Sequence, residues 1–132
     1  MRFTERELTI ALEGAAKTVL AAQDKTVRKG RRTADEAWGA LTKYQRFQLL
    51  DGLGDQLLGV LVSLPDVEVP VGTRPTFTDA QVEAAVEERL GDGLRGVRRK
   101  VVLKARTALV QVALASVPPR QDPDALIVPD HL

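Results

Sequence analysis

The stretch YQRFQLLDGLGDQLLGVLVSL, Tyr44–Leu64, decides the fold class. Projected at 100° per residue, Phe47, Leu49, Leu50, Leu53, Leu57, Leu58, Val60, Leu61 and Leu64 cover half the circumference of a helix. The remaining arc is polar or small: Gln45, Gln48, Asp51, Gly52, Asp55, Gln56, Gly59 and Ser63. An ordinary surface helix buries a narrower stripe, so this one needs at least two neighbours and reads as the central helix of a bundle. As one element it spans roughly 30 Å. Gly52 and Gly54 are its weak points, because glycine lowers helix stability. The polar arc carries a condition. If another element covers it, Gly52 and Gly59 permit close approach, and Asp51 and Asp55 need buried partners. If it meets solvent, the helix is scaffold.

Upstream, the first helix has a readable start. Thr4 and Glu7 form a capping box, flanked by the hydrophobic staple Phe3 and Leu8. Its stripe of Leu8, Leu12, Ala15, Ala16, Val19, Leu20 and Ala22 leads to a terminator at Gly30. Thr33 and Glu36 start a shorter helix that buries Ala34, Ala37, Trp38 and Leu41. No strong breaker separates Leu41 from Tyr44, so this helix is expected to bend directly into the central one.

Downstream, Pro65 ends the central helix, and residues 65–76, PDVEVPVGTRPT, hold three prolines and a glycine. They read as an extended, ordered crossover in which residues 66–71 alternate like a strand. Thr78 and Gln81, with Phe77 and Val82, repeat the capping box and staple, and Gly91 ends that helix. The last helix runs from about Leu94 to Val117. Its expected core stripe is Leu94, Val97, Val101, Ala105, Ala108, Leu109, Val112 and Ala115, and its second half widens with Val110, Leu114 and Val117 on the far side, so that half is expected to be buried from several directions. Pro118 and Pro119 stop it. The expectation is an all-α, single-domain bundle of about five helices over residues 1–119, with a Pro-rich extended crossover. Residues 120–132 form an extended tail bearing Leu126, Ile127 and Val128.

Composition agrees. The 132 residues are 44% hydrophobic but only 4% aromatic, so the core must be aliphatic. Nineteen basic and 18 acidic residues leave a net charge of +1, which argues against a global polyelectrolyte partner. The absence of cysteine excludes disulfides, thiolate metal sites and thiol catalysis. The opening MRFTERELTIALEG lacks the apolar run of a signal peptide, and the apolar stretch 108–117 is too short for a bilayer. A cytoplasmic protein without membrane contact is expected. Arginine outnumbers lysine 13 to 6 beside abundant alanine, valine and leucine, a bacterial high-GC flavour.

The segments FTEREL (3–8) and FTDAQV (77–82) echo each other, and each such helix is later followed by a long apolar helix ending Ser-Leu-Pro or Ser-Val-Pro. Either an internal duplication or shared helix-start chemistry accounts for this.

Chemistry-bearing constellations are scarce. Ser63 and Ser116 lie at helix ends, and the one histidine, His131, is not placed to activate them. Residues 91–96 spell G-x-G-x-x-G, but a helix rather than a strand precedes them, so they read as a helix–helix turn. Asp51 and Asp55 share a helix face without the Glu-x-x-His partner of carboxylate-bridged metal bundles. No catalytic residue, metal or cofactor is expected, and the chain reads as a non-enzymatic interaction or assembly module that binds a protein or self-associates. The heptad-like spacing of the last helix suits either a dimer seam or the internal core.

Two other classes have residues behind them. A nucleic-acid regulator would use Arg28, Lys29, Arg31 and Arg32 together with Arg95, Arg98 and Arg99, and requires both clusters to converge on one surface. A small-ligand binder would use a pocket formed by Trp38, Tyr44, Gln48 and Asp51.

Overall fold

A computed structural model describes residues 1–121. The described chain is all-α: α1 (Glu5–Gln23), α2 (Lys25–Arg28), α3 (Ala34–Ala40), α4 (Lys43–Ser63), α5 (Asp79–Leu90) and α6 (Gly96–Ser116). The central stretch of the sequence is α4, unbroken through Gly52 and Gly54. The residues of the expected tail beyond Gln121, with Leu126, Ile127, Val128 and His131, lie outside the described part.

Four helices open with a threonine capping box: Thr4 with Glu7, Thr33 with Glu36, Thr42 with Gln45, and Thr78 with Gln81. Two of these belong to no internal echo. The capping box that residues 3–8 and 77–82 share is therefore start chemistry that the chain also uses at two other helices. The Thr42 box also corrects the expected continuity of the second and central helices. Leu41 is extended (ψ 147°) and Thr42 caps a fresh helix, so α3 and α4 are separate. The first helix does not reach Gly30 either. Asp24 leaves helical geometry and accepts hydrogen bonds from the backbone N–H groups of Thr26 and Val27, starting the single turn α2.

Contacts fix the packing. The Met1 amine donates to the carbonyls of Val62 and Leu64, where the orphan acceptors of α4 end, and Leu12 meets Gly54. α1 and α4 are therefore antiparallel, with the C-terminal part of α4 beside the start of α1. The α1 face toward its neighbours is alanine (Ala11, Ala15, Ala16), which lets helices approach closely. Gly14 extends that face against Ser116 of α6. α5 and α6 are also antiparallel. Gln111 donates to the Phe77 carbonyl (3.0 Å) and to Asp79 (3.1 Å), while Arg99 at the other end donates to the Gly91 carbonyl. Arg89 of α5 lies over Gly59, joining α5 to α4.

The core collects Leu57, Val60, Leu61 and Leu64 from the α4 side, Val82 and Val86 from α5, and Val110 and Val117 from the α6 side. Each buried leucine contributes about 2–3 kcal/mol of hydrophobic stabilisation. α4 buries Leu53, Gly54, Leu57, Val60 and Leu61, with Leu49 and Leu50 partly packed against the core, while Phe47 is 62% exposed and Leu58 is also exposed, so the broad apolar arc is only partly covered.

The crossover 65–77 has no strand. It turns at Gly72 (φ +84°), where the Gly72 N–H donates to the Arg120 carbonyl and the Arg120 N–H to Thr73. Arg120 also meets Glu7 through its guanidinium. It thereby belongs to the bundle rather than to a tail.

Candidate functional site: the outer face of helix α6

α6 carries apolar residues on two sides; the expected burial of Val110, Leu114 and Val117 holds, while much of the longer stripe, expected to be core, is left open. Thr107, Val110, Ala113 and Leu114 face the core. Five residues of the longer stripe, read from the sequence as a core side, face outward: Val97 is 77% exposed, Val101 is 60% exposed, and Ala105, Ala108 and Ala115 are exposed beyond them, whereas Leu94, Leu109 and Val112 are half-buried and Leu109 packs against the core. Periodicity identifies an apolar face but does not say what covers it. The face with the larger, contiguous aliphatics of the second half (Val110, Leu114, Val117) meets the other helices, because it fills more of the space between them.

The N-terminal half of this outer face borders an open groove of about 410 Å³ lined by Val97, Val101 and Leu103, with Lys100 and Lys104 on α6 and Glu83 on α5. The groove is apolar at its floor and carries both charge signs on its rim. Asp79, Glu83 and Glu87 lie four residues apart along α5, one face of that helix. Glu87 sits 3.8 Å from Arg99, and Asp79 touches Gln111. An acidic rail thus runs beside the basic first half of α6. α6 itself, Gly96–Ser116, contains no acidic residue. This arrangement can grip an apolar helix or segment. It places no nucleophile beside a base.

The two basic clusters are held in different surroundings. Arg95, Arg98 and Arg99 adjoin the end of α5, whose Arg89 reaches Gly59 in the C-terminal third of α4. Arg28, Lys29, Arg31 and Arg32 follow the opposite end of α1. From Leu12, beside Gly54, to Lys25 is about 20 Å of helical rise, and Gly59 lies on the far side of Gly54. These contacts do not bring the clusters onto one surface. Two of the seven cations also have structural work. Arg32 donates to Asp24 (2.6 Å) and to the Thr26 hydroxyl (2.7 Å), and Arg99 holds the turn after α5. The hydrogen bond from the Thr26 hydroxyl, followed by that from Arg32 and by the backbone N–H groups of Thr26 and Val27, holds the Asp24 carboxyl well below the usual carboxylate range. Arg28, Lys29, Arg31, Arg95 and Arg98 are exposed.

The four pocket residues are likewise separated. Trp38 is 8% exposed and packs into the core. Arg46 covers its ring at 5.9 Å and donates to the Trp38 and Gly39 carbonyls. Tyr44, Gln48 and Asp51 face solvent. Asp55 is exposed too, and Gly52 has open space around it, so the polar arc of α4 in that region is not a buried interface. Gly59 is the exception, with the Arg89 guanidinium over it.

Sequence reasoning missed three positions. Asp24 as a cap was readable as an Asx start inside a strongly periodic stretch. Thr42 was readable from Thr-x-x-Gln, but the apolar run hid it. The pairing of Arg120 with Glu7 has no local signal, because it joins the two ends of the described chain.

Among the described helices, none is long and apolar enough to cross a membrane. Comparison with protein-family models, with curated proteins and with solved structures finds no match to this chain.

Proposed function

We propose that this chain is a non-enzymatic helical interaction module that docks through the outer face of α6. The observation that carries the reading is the exposed, regularly spaced stripe of Val97, Val101, Ala105, Ala108 and Ala115 on a helix whose opposite side already supplies the core. Exposed apolar side chains scattered singly are ordinary; a contiguous line of them beside an apolar groove is a docking feature. Two valines at one end supply bulk, and alanines at the other allow a second helix to come close. Lys100, Lys104 and Glu83 at the rim give such a contact its orientation.

A photo-crosslinking amino acid placed at position 101 in living cells tests this. Adducts to protein are expected from position 101 and not from a control at the exposed polar Gln48. Equal, background-level labelling from both positions overturns the reading.

A further inference from the structure

We infer that the occupant of the α6 outer face is a second copy of this chain, with the two α6 helices laid antiparallel about a twofold axis. The inference rests on the reading of this face as a docking surface and names its partner. An interface around a twofold axis must be self-complementary, because the same patch meets itself. The α6 face meets that demand in shape. Its N-terminal end presents Val97 and Val101 and its C-terminal end Ala108 and Ala115. Antiparallel pairing sets the bulky end of each helix on the small end of the other.

It meets the demand in charge as well. α6 has basic residues in its first half and no acidic residue, so parallel pairing would stack Arg98, Lys100 and Lys104 on their own copies at one level. Antiparallel pairing moves these cations to the far end of the second copy. There Asp79 stands beside Gln111. Glu83, on the rim of the same groove, gives each copy a second acid for the opposing lysines. A patch with an apolar centre and both charge signs on its rim can pair with itself, each copy's acids beside the other's lysines.

The test uses the full chain and its lack of cysteine. Sedimentation equilibrium from about 10 μM to 1 mM is expected to show a monomer–dimer equilibrium, and Val101→Glu to raise the dimer dissociation constant on the order of a hundredfold. The thermal melt of that variant, followed by circular dichroism at a concentration where both proteins are monomeric, should match wild type, since position 101 is exposed. For orientation, Val97→Cys and Ala115→Cys chains are mixed under mild oxidation. Antiparallel pairing predicts mixed disulfides in excess over Val97→Cys homodimers. A wild-type chain that stays monomeric throughout overturns the inference, and so does a dimer unaffected by Val101→Glu or one that yields chiefly Val97→Cys homodimers. A monomer whose position 101 still crosslinks to other proteins removes the second copy but keeps the docking face. A monomer with only background crosslinking removes both.

Discussion

The side chain of Ser116 in α6 fills the space where a β-carbon on Gly14 of α1 would stand; both its Oγ and Cβ would overlap such an atom. The Ser116 hydroxyl turns back to the Val112 carbonyl at 3.0 Å, so it is satisfied within its own helix. Gly14 thus lets two helix backbones approach at a point where one short side chain separates them.

Replacing that glycine should cost more than helix propensity returns. Gly14→Ala is expected to destabilise the fold by about 1–3 kcal/mol, because the clash falls on a Cβ fixed to the α6 backbone. Gly52→Ala, with no atom near its new methyl, is expected to gain about 0.5–1 kcal/mol. Gly59→Ala lies between them: its methyl meets the far end of the flexible Arg89, which can swing away. Urea unfolding of the three variants gives the order directly.

Arg120 and Glu7 support a second prediction. Glu7 is buried, closes the Thr4 capping box, and accepts from Arg120 at 3.1 Å and 3.2 Å. Arg120→Ala is expected to cost about 1–2 kcal/mol through loss of a half-buried charged hydrogen bond. Glu7→Ala should cost more, since the Thr4 N–H loses its acceptor as well. Chemical denaturation midpoints compare the two.

Thr107 predicts a gain. It is buried on the core side of α6, and among the described residues its hydroxyl has no hydrogen-bond partner. Thr107→Val keeps the branched shape, removes the orphaned hydroxyl, and is expected to stabilise the fold by about 1 kcal/mol in thermal melts.

Asp24 sets a pH dependence. Its carboxyl is held low by the Thr26 hydroxyl first and by Arg32 next. A carboxylate with a depressed folded-state pKa contributes stability above its unfolded value, about 4, and loses it as the pH falls below that range. Asp24→Asn should therefore lower stability at pH 7 and flatten the acid limb of the stability profile below about pH 4. Melting temperatures from pH 2 to 7 for both proteins test this.

The legible part of this fold was local. Thr4, Thr33 and Thr78 announced their helices because a capping box is complete within four residues. Pro65 and Gly91 marked ends for equally local reasons. The docking face was half legible: Val97, Val101, Ala105 and Ala108 stood out as one stripe, but α6 is apolar on both sides, and the choice between them depends on which side fits Leu57, Val60 and Val82. Phe47, at the edge of the apolar arc, fails as core because the helices that bury Leu53 and Leu57 do not cover the first turns of α4, and Tyr44 projects to the opposite side of the helix from Leu53.

A helix that offers two apolar sides also poses a problem during folding. Turning α6 by half a revolution would bring Val97, Val101 and Val112 inward and still bury hydrocarbon, so burial of hydrocarbon alone does not select the native rotation. Gly14 discriminates between the two rotations, because only the native one sets Ser116 into its gap and leaves Gln111 able to reach Phe77 and Asp79. The small notch at Gly14 is therefore a proofreading device for helix orientation, selecting which hydrocarbon the molecule hides and which it shows.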